Sequence, residues 1–111
     1  MPTTTALPER SDGQIHRMPC RPGSHVAYER GQEVVVEWYD FGADAPYESA
    51  NLLIFDRAAQ GAFAIALGMD PSAVPDRLAA QIAARFASYF AVKAFAEAQA
   101  IPFTPEVDFQ P

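Results

Sequence analysis

Asp44-Ala-Pro-Tyr-Glu-Ser-Ala-Asn-Leu-Leu-Ile-Phe-Asp-Arg-Ala-Ala-Gln-Gly-Ala-Phe-Ala-Ile-Ala-Leu67 is the most apolar stretch of the chain. Whether it forms one helix or two strands decides the fold. Both ends are punctuated as a helix requires. Asp44 suits an N-cap, Pro46 a first turn, Glu48 the positive end of the dipole, and Gly68 a C-terminal stop. On a helical wheel Leu52, Phe55, Ala59, Ala62, Phe63 and Ala66 share one side, and Ser49, Asp56 and Gln60 form a narrow polar stripe. Such a helix is apolar nearly all round and needs cover on several sides. The rival pattern has period two: residues 51–56 as a buried strand, and Phe63, Ile65 and Leu67 on one face of a second. Frequent alanine and the two punctuated ends favour the helix.

Upstream, residues 25–29 and 33–41 are rich in β-branched and aromatic side chains and read as strands. Arg30-Gly31-Gln32 separates them, a length suited to a three-residue hairpin loop. That register places Val26 and Tyr28 on the face of Val34, Val36 and Trp38. The opposite face then holds Glu29, Glu33 and Glu37, with His25 near Glu37. Downstream, Pro75 opens a helix with no further proline before Pro102. Leu78, Ile82, Phe86 and Tyr89 form its core stripe, while Arg77, Gln81, Arg85 and Ser88 take the solvent side. The pattern shifts after Phe90, which predicts a bend there or a separate cover for the helix end.

The expected architecture is therefore α+β, a β-hairpin packed on an antiparallel helical pair. The alternative is a four-stranded antiparallel meander with one long helix. Crowded prolines mark residues 1–23 as an extended, flexible arm, basic through Arg10, Arg17 and Arg21. Residues 24–103 form a single domain, and residues 104–111 a flexible tail, with Phe103 tucking back onto the body. Since a lone hairpin and one helix cannot cover the central helix, self-association as a twofold dimer is expected.

The chain has 111 residues, half of them apolar and a fifth charged, which suits one globular domain. Its formal charge is -6, which argues against direct binding to nucleic acid or to anionic lipid. One cysteine, Cys20, excludes an internal disulfide. No signal-peptide pattern or membrane-length apolar run is present, so a soluble, cytoplasmic protein is expected.

No phosphate loop, nucleophile elbow or paired metal carboxylates appear, which points away from an enzyme and requires no cofactor. Cys20 lies between arginines but lacks a partner base. His16, Cys20 and His25 match no zinc spacing, so no metal is expected. The distinctive cluster is acidic: Glu29, Glu33, Glu37 and Asp40, continuing to Asp44 and Glu48. It reads as a solvated face, as docking for a basic protein partner, or as mimicry of a phosphate row. The favoured function is a small acidic regulator, inhibitor or accessory subunit acting through Glu29, Glu33, Glu37 and Asp40. The alternative is a small-molecule-binding or enzymatic domain with an apolar pocket between the helices, lined by Phe63, Phe86, Tyr89 and Phe90.

Overall fold

The apolar stretch divides at Asp56. In the computed structural model, which describes residues 14–21, 23–41 and 48–110, its first half is a strand (Glu48–Phe55) and its second a helix (Arg57–Ala66). Neither reading of this stretch holds as a whole. Leu52, Leu53, Ile54 and Phe55 are all buried, on alternating sides of the strand. A central strand with both faces covered loses its period-two signature, which is why it also reads as helix. Asp56 is the N-cap that the helix uses, its carboxylate accepting from the Ala59 N–H at 2.9 Å. Asp44 and Pro46 lie outside the described residues. Dividing the stretch also removes the premise for a self-associating central helix.

In chain order the elements are β1 (His16–Arg17), β2 (Ser24–Arg30), β3 (Glu33–Asp40), β4 (Glu48–Phe55), α1 (Arg57–Ala66), α2 (Pro75–Arg85), α3 (Tyr89–Ala98) and β5 (Thr104–Gln110). The class is α+β. Five antiparallel strands run in the order β1-β2-β3-β4-β5, and the three helices lie between β4 and β5 in sequence. The sheet extends further than the expected 24–103 domain. Met18 is buried in the core beside β1, and residues 104–110 pair along β4 instead of forming a loose tail. Phe103 does turn back, its ring 5.9 Å from that of Phe55.

The hairpin forms in a different register from the one expected. Arg30 pairs with Glu33, Tyr28 with Val35 and Val26 with Glu37, so the loop is two residues, Gly31-Gln32. Gly31 has φ +63 while Gln32 does not enter the positive region, the requirement of a tight turn with glycine at its first central position. One residue fewer in the loop exchanges the faces of β2. His25, Ala27 and Glu29 now share a side with Val34, Val36 and Trp38, and Val26 and Tyr28 share the other with Val35 and Glu37.

The helices cover the side of Ala27, Val34, Val36, Leu53 and Phe55, where Phe63, Leu78, Ile82 and Val92 complete the main core. Burying a side chain of this size stabilises the fold by about 1.5–3 kcal/mol. Gln60, on the expected polar stripe, is buried instead. Its amide donates to the carbonyls of Gln32 (2.7 Å) and Phe55 (3.0 Å), so α1 is tied to the hairpin loop.

The long helix expected after Pro75 is two helices. Phe86 is extended (φ -119, ψ 139), and Ser88 caps α3 by accepting from the Ala91 N–H at 3.1 Å. The shift of apolar pattern is real, but the break lies at residues 86–88, ahead of Phe90. A freed backbone group finds its partner in the segment between β1 and β2: the Ala87 carbonyl accepts from the Cys20 N–H at 3.1 Å.

Both α1 and α3 end in the same left-handed cap. At α1 the Met69 N–H reaches the Ala64 carbonyl (2.8 Å) with Gly68 at φ +74; at α3 the Ile101 N–H reaches the Ala96 carbonyl (2.8 Å) with Ala100 at φ +56. Alanine carries a steric cost there that glycine does not. Ala100→Gly is expected to raise stability by about 0.5–1 kcal/mol, after allowing for the greater freedom of glycine in the unfolded chain. Urea unfolding checks this; an unchanged or lower midpoint would show the cap to be unstrained.

Candidate functional surface

Alternation along the strands sorts the acidic residues onto two sides of the sheet. Glu33 and Glu37 point to the side without helices. Glu29 and Asp40 occupy the helix side, at opposite ends of the hairpin, opposite Val34 and Ser49 respectively. The four residues therefore do not form one surface. Glu37 is also only 3% exposed and accepts from the Tyr28 hydroxyl at 2.7 Å. It is a buried, hydrogen-bonded carboxylate, and an exposed row of Glu33 and Glu37 imitating phosphates is not formed. Glu33 is half-buried beside Arg30, which pairs with it at 3.2 Å and offsets its charge.

The helix-free side has an apolar centre of Val26, Tyr28, Val35, Leu52 and Ile54, with Ile15 packed against it. Its acidic border runs along β4 and β5 rather than along the hairpin. Glu48 pairs in register with Gln110, Ala50 with Asp108 and Leu52 with Glu106, so Glu48, Glu106 and Asp108 lie on this same side. Tyr39, opposite Ala50, donates its hydroxyl to the Glu48 carboxylate. That bond, then burial, then the nearby charges of Glu48, Glu37 and Asp108 raise the Tyr39 phenol above its ordinary value. Three carboxylates thus act together on one hydroxyl, and the local potential is negative. No sequence pattern joins Glu106 and Asp108 to Glu48; only the β4–β5 register does.

The four aromatic residues expected to line a pocket fall into two groups. Phe63 and Phe86 pack edge to face at 6.0 Å, and both contact Phe95. Tyr89 and the half-exposed Phe90 belong with Trp38 and His25. Both groups are packed rings. A cleft of about 630 Å³ opens instead between the α1–α2 loop and α2, beside Asp70, Arg77 and Arg85. Another of about 470 Å³ opens beside Arg17, Arg21, His25 and Phe41.

His25 was expected near Glu37 on a charged face. It is 2% exposed on the helix side, stacked on Trp38 with ring centroids 6.1 Å apart. Its Nδ1 accepts the Tyr89 backbone N–H at 3.0 Å, one of the donors left open at the start of α3. Gly23 makes room for this packing: a Cβ there would lie 2.6 Å from the Tyr39 carbonyl and 2.8 Å from Trp38 Nε1. His16 lies apart from His25, bonded to Asp76 at 2.9 Å, and the Cys20 thiol faces the Arg21 carbonyl. His16, Cys20 and His25 therefore do not converge. No group of three or more metal-ligating side chains occurs among the described residues. No helix among them is long and apolar enough to cross a membrane.

Searched against family models, curated proteins and solved structures, the chain matches none of them.

His25→Ala is expected to cost about 3 kcal/mol, since it opens a cavity beside Trp38 and orphans the Tyr89 N–H. His25→Asn, which keeps an acceptor, should lose less; equal losses in urea unfolding would remove the capping role. A second expectation concerns high pH. Burial raises the Tyr89 phenol, as the Glu48 bond raises that of Tyr39. Folding therefore favours both neutral phenols. That stability is fully present below the unfolded value of about 10 and is lost as pH rises through the folded values. An ultraviolet titration should show late-ionising tyrosines, one fewer of them in Tyr39→Phe and one fewer in Tyr89→Phe.

Proposed function

We propose that this chain is a small, acidic, non-enzymatic interaction module, a regulator, inhibitor or accessory subunit that binds a basic protein partner. The contact surface is the β3–β4–β5 border on the helix-free side of the sheet. The observation that carries the reading is the β4–β5 register, which sets Glu48, Glu106 and Asp108 on one side of the sheet beside Tyr39, the donor to Glu48. A border of one sign steers an oppositely charged partner and fixes its orientation more than it adds raw affinity. The adjoining strand β5, whose residues 104–108 are exposed, supplies the accessible area. Glu29 and Asp40 lie on the other side of the sheet and take no part in this contact.

Affinity capture from the host, read by mass spectrometry at low and at moderate salt, should recover a stoichiometric basic protein that moderate salt releases. With that protein in hand, Glu106→Lys combined with Asp108→Lys should weaken binding at least tenfold, while Glu29→Lys should leave it unchanged. Binding indifferent to salt and to reversal at Glu106 and Asp108 would overturn the proposal.

A further inference from the structure

The sheet register determines which backbone groups of β5 are open. Arg30 and Glu33 close a two-residue loop, so they exchange both backbone hydrogen bonds. Bonded and non-bonded pairs then alternate without interruption across the sheet. On β3, residues 33, 35, 37 and 39 bond to β2, and residues 34, 36, 38 and 40 bond to β4. On β4, the residues left for β5 are 48, 50, 52 and 54, whose partners are Gln110, Asp108, Glu106 and Thr104. Among the described residues, the open edge of β5 therefore belongs to residues 105, 107 and 109. Pro105 falls in this outward set, where its missing N–H costs no ladder bond. β5 is the last strand of the sheet, residues 104–108 are exposed, and Val107 is 54% exposed.

We infer that β5 is a docking edge for strand addition by a basic segment of another protein, in which Lys or Arg alternates with apolar residues. This rests on the acidic-module reading and names its partner. An added strand bonds to the backbone of residues 107 and 109 and continues the pleat. Its side chains on the helix-free side lie opposite Glu106 and Asp108, so they are basic. Those on the helix side lie beside Val107, so they are apolar. A second copy of this chain fits poorly. Antiparallel pairing about Val107 sets Glu106 against Asp108 of the other copy twice. Shifting the register by two residues sets Asp108 against Asp108, or Glu106 against Glu106. Like charges directly opposite one another are destabilising.

The test uses the full chain and a labelled peptide, Lys-Val-Arg-Val-Lys-Val-Arg, with a control of the same composition reordered to break the alternation. The alternating peptide should bind at least tenfold more tightly than the control. Val107→Pro removes only an outward N–H, so the β4 ladder is kept and affinity should fall at least tenfold. If that variant fails to fold by circular dichroism, amide exchange on the wild type decides. Peptide should slow exchange of the Val107 N–H and leave those of Glu106 and Asp108, already bonded to β4, unchanged. Equal binding of both peptides, or no binding, would overturn the inference. So would binding lost on Glu106→Lys with Asp108→Lys but kept in Val107→Pro, which leaves the acidic reading standing without the edge. Indifference to both variants would remove the two together. A concentration-dependent dimer abolished by Val107→Pro would make the occupant a second copy and overturn the basic partner.

Discussion

Val34, Val35 and Val36 are consecutive and all fully buried, and they pair with Phe55, Ile54 and Leu53, which are buried as well. Successive strand side chains point to opposite faces. A run of this kind therefore requires apolar surroundings on both sides of the sheet. The helical layer meets that requirement on one side, with Phe63, Leu78, Ile82 and Val92 closing over Val34, Val36, Leu53 and Phe55. On the other side Val26, Tyr28, Val35, Leu52 and Ile54 form a smaller apolar group. Glu37 is held inside that group with a hydroxyl that Tyr28 supplies to it. A buried carboxylate without such a donor would carry a large desolvation cost. The two faces thus differ in kind, one a thick packed core and the other a thin apolar floor with an acidic margin.

The joint between the layers is polar and specific. Directed bonds cross it where the helical backbone is interrupted or begins, among them Cys20 to Ala87, Tyr89 to His25, and Gln60 to the carbonyls of Gln32 and Phe55. Apolar packing sets how closely helices and sheet approach, but it is tolerant of sliding. Directed bonds at both ends of the helical layer fix its register on the sheet. No buried side-chain nitrogen or oxygen among the described residues lacks a partner.

The residues carry some of this fold openly. Strands at 25–29 and 33–41 were readable because β-branched residues are dense there. Pro75 as a helix start and Gly68 as a helix end were readable because each has a backbone reason for its place. Residues 51–56 were not, since a strand covered on both faces shows a continuous apolar run instead of alternation. The hairpin register turned on whether Arg30 belongs to the loop or to the strand, and only the positive φ of Gly31 decides that. The break at residues 86–88 left a trace in the shifted apolar pattern, but its position depends on Cys20 and His25, far away in sequence. The candidate surface was half legible. Glu48 stood out as acidic, whereas Glu106 and Asp108 join it only through pairing with β4.

The order of the elements has a consequence for how the sheet is assembled. β2, β3 and β4 follow one another through short connections and can pair as soon as they are made. β5 is separated from its neighbour β4 by the entire helical layer, so closing that pair orders a long intervening segment first. Until then, the backbone groups of β4 that β5 will occupy stay open, beside the apolar side chains of Leu52 and Ile54. During synthesis this is the interval in which the nascent chain presents its most adhesive edge. The helices that delay β5 are also the elements that cover the opposite face of β4, so the delay and the protection arise from the same stretch of sequence.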